Sequence, residues 1–121
     1  MEKVNEHDFV YRFGDYGPKY LLKGPNIDVG IVVLKPGQDF TNHYHTECEE
    51  VFFVLHGKID FYVNEQKIHV QPGDLIQCRP LERHYLINRS GEECKALFIK
   101  SPHIAGRDSV EAPNPIVDKE E

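Results

Sequence analysis

Apolar and polar positions alternate with a period of two through the middle of the chain, and that period belongs to strands, not helices. Ile59, Phe61 and Val63 alternate with Asp60 and Tyr62, and Ile68 and Val70 alternate with His69 and Gln71. Between these two runs "NEQK" predicts a hairpin turn. "VGIVVLKPG" and "VFFVLHG" are denser β-branched and aromatic runs, closed by Pro36-Gly37 and by Gly57. "DLIQC", "HYLIN" and "CKALFIK" continue the series, and no stretch of the core sustains a helical period. Short β-rich runs punctuated by turns predict an all-β fold, an antiparallel sandwich or barrel. "GDYGPKY" reads as a loop. Three parts are expected: an N-terminal segment over 1–28 packing on the barrel, a barrel core over 29–102, and a polar tail over 103–121. That tail holds two prolines and ends in acids; it reads either as disordered or as laid across a neighbouring surface.

One stretch breaks the pattern. "NHYHTECEE" places two histidines and a cluster of acids directly before a bulky apolar run. His43 and His45, two apart on a strand, face the same way. Glu50 is five on from His45, so a bend within "TECE" must restore its inward direction. From Glu50 onward Phe52 and Val54 share one face while Val51, Phe53 and Leu55 share the other. Both faces are apolar, which predicts a strand covered on both sides. A carboxylate at the inner edge of such a core is costly unless it is paired or bound to a metal. A metal is one reading; strand-edge histidines beside a solvated acidic turn are the other.

The wider pattern separates them. Gly37-x5-His43-x-His45-x4-Glu50-x6-Gly57 resembles the first motif of the cupin family throughout. The second cupin motif reads G-x5-P-x-G-x2-H-x3-N. Gly73, His84 and Asn88 fall at its spacing, but Arg79 stands at its proline position and Leu81 at its second glycine. The resemblance spans about Val29 to Lys100. It implies a small jelly-roll-like barrel of two packed antiparallel sheets, with a metal held by His43, His45, Glu50 and His84. Three imidazoles and one carboxylate suit a divalent Fe, Mn, Ni, Co or Zn ion. Six-coordinate, such an ion keeps two open positions for a chelating substrate, or for substrate beside dioxygen.

Glu49 is the rival ligand; Glu50 is preferred because it keeps the six-residue spacing to Gly57. Arg79 and Arg83, bracketing the approach to His84, are candidate anchors for a substrate anion. Surface pairing with Glu47, Glu49 or Glu82 is the competing reading. Cys48, inside the ligand loop, reads as an inert thiol; Asn88 reads as securing a strand end.

Composition narrows the function classes. The 121 residues are 40% hydrophobic and 28% charged, with a formal net charge of −6. One domain with a real core is expected, and the acidic balance speaks against nucleic acid and anionic membrane as partners. Three scattered cysteines and a start without an apolar leader region point to free thiols in a cytoplasmic protein. The expected activity is that of a metal-dependent enzyme on a small oxygen-rich substrate, dioxygenase-type oxidoreductase chemistry first. The alternatives are a sugar or sugar-phosphate isomerase, epimerase or lyase, and a non-catalytic ligand-binding module. A homodimer is expected, with Phe53 or Phe98 facing the partner sheet.

Overall fold

A computed structural model describes residues 1–117 of the chain; the last four residues of the expected tail, 118–121, lie outside the described residues. A single 3-10 turn, Glu6–Asp8, precedes ten strands. They are β1 (Gly17–Lys23), β2 (Asp28–Leu34), β3 (Asp39–His45), β4 (Glu49–His56) and β5 (Ile59–Val63). There follow β6 (Gln66–Val70), β7 (Leu75–Cys78), β8 (His84–Ile87), β9 (Cys94–Ser101) and β10 (Ser109–Glu111). They form two five-stranded antiparallel sheets, ordered β1-β2-β9-β4-β7 and β10-β3-β8-β5-β6. The expected all-β barrel of two packed sheets is what the chain forms.

The two inner faces meet in one core. Val32, Leu34, Phe52, Val54, Ile59, Phe61, Leu86, Ala96 and Phe98 are buried there. Truncating a fully buried aromatic such as Phe61 in a core of this kind costs about 3–5 kcal/mol. The hairpin between β5 and β6 turns at Asn64 and Glu65, both with positive φ (48° and 66°). That is the handedness a two-residue turn needs to match strand twist. Asn88 secures the end of β8: its Nδ2 donates to the carbonyls of Leu34 and Glu92, both at 2.8 Å.

Four features depart from the pattern reading. Gly17–Tyr20, expected as loop, opens β1. The proline misleads there: β1 is an edge strand, and Pro18 sits where one missing N–H costs little. The tail adds β10, which pairs with β3 through Ser109↔His45, Val110↔Tyr44 and Glu111↔His43. Phe98 does not face a partner sheet; it lies in the core, edge-on to Tyr20 at 5.2 Å between ring centroids. β4 is covered by the chain on one face alone. Glu50, Phe52 and Val54 are buried, while Phe53 and Leu55 are exposed beside exposed Leu75, which pairs with Phe53. The three cysteines are unpaired and buried. Among the described residues no helix is long and apolar enough to cross a membrane.

Candidate metal centre and substrate cavity

β3 carries His43 and His45 side by side into the barrel, as the alternation of strand side chains requires. The chain then leaves this sheet over Thr46–Cys48 and crosses to the other sheet as β4, where Glu50 is buried and faces inward. β8 pairs with β3 in the register His43↔His84, which sets the third imidazole opposite the first. Gly57 closes the strand after Glu50 with φ +75°, and a Cβ there would lie 2.4 Å from the Glu93 carbonyl oxygen. A side chain at that position would meet both backbone strain and a clash.

His43, His45, Glu50 and His84 are all buried, and one donor atom from each lies within 4.8 Å of the others. Each imidazole is tied by Nδ1. His43 Nδ1 meets the Thr41 carbonyl at 2.9 Å, His84 Nδ1 the Glu82 carbonyl at 3.1 Å, and His45 Nδ1 the Asp108 carboxylate at 3.1 Å. Donation from Nδ1 turns Nε2 of each ring toward the centre, where it offers a lone pair when the ring is neutral and a proton to Glu50 when the ring is charged. Nε2 of His45 and Nε2 of His84 both sit 3.1 Å from Glu50 Oε1. The donor chemistry therefore fits a divalent ion: three oriented imidazoles, one carboxylate, and an outer partner behind each ring.

The electrostatics of this cluster are steep. Burial and the neighbouring His84 push the His43 pKa down to about 4. At His45 burial acts in the same direction, but the Cys48 and Glu50 side chains outweigh it and raise the pKa to about 10. Burial would push the Glu50 carboxyl up; hydrogen bonds from His45 and His84 more than reverse this and hold it well below the usual range. Glu49, the rival acid, points elsewhere and meets Gln77 Nε2 at 3.3 Å. Cys48 lies close to His45 and Asp108, within the same 4.8 Å limit, but on the Nδ1 side of the ring where Asp108 binds.

A cavity of about 210 Å³ opens from the cluster. Phe40, Phe52, Leu86 and Phe98 line its apolar wall, and Tyr20 and Glu111 add polar groups. Three cations also reach it: Arg12, Lys100 and Arg107. The anchors expected from sequence, Arg79 and Arg83, do not line it. Arg83 forks onto Glu65 through Nη2 and Nε at 2.7 and 2.9 Å on an exposed face, and Arg79 is exposed. β8 begins at His84, and Arg79 and Arg83 lie before it, outside this cavity's lining.

The sequence reading missed Asp108, Arg12, Lys100, Arg107 and Glu111. Asp108 accepts from His45 Nδ1 and from the Cys48 backbone N–H at 3.1 Å, so the tail carboxylate clamps both ends of the ligand loop. Arg12 is placed by its own N–H, which donates to the Pro18 carbonyl at 2.8 Å. A single acid in a polar tail, or a single arginine before an edge strand, carries no local signal.

Comparison with known proteins places this site in a family. The TcmJ protein of the tetracenomycin polyketide synthase of Streptomyces glaucescens is 24% identical over 92 residues, covering 72% of this chain. The chain spans 62% of that relative's length. A Klebsiella pneumoniae protein with a double-stranded β-helix domain superposes with a TM-score of 0.80 at 19% identity, covering 94% of this chain and 99% of the other. A variant of Streptomyces Pac13 with uridine superposes with a TM-score of 0.76 at 18% identity, covering 96% and 93%; Pac13 is described as a nucleoside dehydratase. These two structures share the fold. The model of the cupin domain matches residues 30–100, the stretch that holds all four convergent donors, and the chain belongs to the cupin family.

Proposed function

We propose that the protein is a metal-dependent enzyme that moves a proton on a small oxygen-rich substrate, in reactions of isomerase, epimerase or lyase type. The observation that carries this reading is the convergence of His43, His45, Glu50 and His84 beside a cavity that His43, His45 and Glu50 line, each ring held from behind. A divalent ion bound there supplies Lewis acidity, lowering the cost of negative charge on substrate oxygens. The residues of this chain do the rest. Phe40, Phe52 and Phe98 exclude water from the wall. Glu111, set beside His43 by the β10–β3 register, brings a carboxylate into the cavity that can take a proton from substrate carbon or oxygen. Tyr20, whose hydroxyl meets Lys100 Nζ at 3.2 Å, is a second group able to hold one. The dehydration attributed to Pac13 is chemistry of the same lyase kind.

Oxygen-dependent chemistry is the second reading, since the same three imidazoles and one carboxylate would also hold an ion able to bind substrate beside dioxygen. One experiment separates them. The purified protein is analysed for metal and assayed with hydroxy-acid, sugar and nucleoside panels for isomerisation and water loss, while dissolved oxygen is followed. Turnover without oxygen uptake supports proton-transfer chemistry; uptake in step with turnover supports a dioxygenase. Metal and ligand binding without turnover would leave a binding module.

A further inference from the structure

The chain carries 20 acids against 14 lysines and arginines, so most of its cations have an acid available. Four cations at one end of the barrel do not use one. Arg12, Lys100 and Arg107 line the metal-site cavity, and a second cavity of about 390 Å³ shares these three with it and adds Lys23. Tyr20 and Ser109 also line both, so the two spaces adjoin. Among the described residues none of the four cations makes an ion pair. Arg12 lies over the Phe40 ring at 5.5 Å and Lys23 over Tyr20 at 5.1 Å. Lys100 Nζ meets the Tyr20 hydroxyl, and Arg107 Nε donates to Ser109 Oγ at 3.2 Å and Ser109 O at 3.3 Å.

The acids within reach are already engaged. Asp28 accepts from the Gly24 N–H at 2.9 Å and pairs with His103 at 2.8 Å. Asp108 is held by His45 and Cys48. Glu50, which also lines the first cavity, is held by His45 and His84, and Glu111 is the remaining carboxylate there. Like charges gathered at a concave surface repel one another and cost stability unless an anion joins them. Two guanidinium forks and two ammonium groups, none of them in an ion pair among the described residues, match the several oxygens of a dianionic phosphate.

The geometry points to a phosphate subsite formed by Arg12, Lys23, Lys100 and Arg107, so that the substrate is a phosphate monoester whose oxygen-rich end enters the cavity over His43, His45, Glu50 and His84. The reacting end rests on the metal-enzyme reading above; the anionic end rests on the four cations alone. The second cavity accommodates the phosphate, and the first receives the carbons next to it.

The test is titration of the Mn2+-loaded and the metal-free protein with inorganic phosphate and, separately, with acetate, by calorimetry at low salt. Expected is phosphate binding in both forms, much tighter than acetate, and weakened at least tenfold in Arg107→Gln and in Lys100→Gln. Arg83→Gln, whose arginine is paired with Glu65 away from the cavity, should bind as the parent does. Circular dichroism and metal content of each variant establish that it is folded. Phosphate binding lost on removing Mn2+ but kept in both cavity variants would put the anion on the metal and overturn the subsite. Equal binding of phosphate and acetate, or no phosphate binding, would overturn it too. Phosphate binding with the expected variant losses in a protein that takes up no Mn2+ would uphold the subsite while removing the metal-enzyme reading.

Discussion

Asp108 Oδ1 accepts the Nδ1 proton of His45 at 3.1 Å, and 63 residues of chain separate the two. Both side chains are buried, at 4% and 5% exposure. The carboxylate fixes which nitrogen of His45 faces the centre, so it positions a donor without being one. Asp108→Asn can present its amide with either end toward the ring and no longer enforces that tautomer. Metal affinity is expected to fall by about 10–100-fold, the usual cost of losing an outer carboxylate behind a histidine. A competitive metal-chelator titration reads this, and nitrogen chemical shifts of the imidazole report the tautomer independently. Unchanged affinity would remove Asp108 from the site.

His45 also sets a pH dependence. In the metal-free protein His45 holds a proton up to about pH 10, with Cys48 and Glu50 opposing the effect of burial. A raised folded pKa means that the stability this proton contributes is complete below the unfolded value of 6.5 and is lost as pH rises through about 10. A metal needs the neutral ring and must expel that proton. His43, near 4, is already neutral and Glu50 already ionised above pH 5. Metal affinity is therefore expected to rise about tenfold per pH unit between pH 7 and 9, with one proton released per ion. Calorimetry in buffers of different ionisation enthalpy counts the proton; a flat profile would contradict the assignment.

His84→Ala and Glu50→Gln are each expected to empty the centre at equimolar metal, because each removes a donor from a buried set of four. Glu49→Gln and His69→Ala should leave it filled. Glu49 meets Gln77, and His69 pairs with Asp60 at 2.7 Å on the outside of the barrel. Elemental analysis after gel filtration decides, and loss of metal in Glu49→Gln alone would exchange the roles of the two acids.

Leu81 stands where the second cupin motif has glycine, and it has φ +74°. Its side chain is 62% exposed, so it contributes little packing to offset the left-handed backbone. Leu81→Gly is expected to raise stability by about 1 kcal/mol in urea unfolding, since the backbone strain relieved is about 1–2 kcal/mol. The turn keeps its shape through the Leu81 N–H, which donates to the His45 carbonyl at 2.8 Å.

Phe53, Leu55 and Leu75 form the uncovered apolar face of β4 and β7. A second copy of this chain meeting the first on this face would supply the cover that the two-sided apolar pattern of β4 anticipates. Phe53→Glu is expected to halve the mass seen by light scattering while leaving the circular dichroism unchanged. A monomeric parent protein would dispose of the dimer.

The strands of the core were legible because alternation, β-branching and turn residues are local properties, and each run needs only its own sequence to declare itself. The four convergent donors were legible because three of them, His43, His45 and Glu50, fall within eight residues, and the fourth keeps the spacing of a second motif. What escaped depends on topology. Pro18 hides an edge strand whose neighbour is known only once the sheet exists. Asp108 and Glu111 reach the centre because β10 joins β3, a pairing between segments more than 60 residues apart. Arg79 and Arg83 are near His84 along the chain, whereas Arg12, Lys100 and Arg107 come from three separate segments that only the fold brings to the cavity lined by His43, His45 and Glu50.

The placement of β10 also bears on when the centre can come into being. Its inner partners on β3, β4 and β8 can assemble as soon as residue 87 is available, but His45 gains its outer carboxylate only when residue 108 docks. Contacts closing so long a loop form late in folding, since their entropy is spent before they repay it. A chain caught earlier holds a barrel with an unguided imidazole. The affinity of the centre for an added ion would thus report whether folding has run to its end.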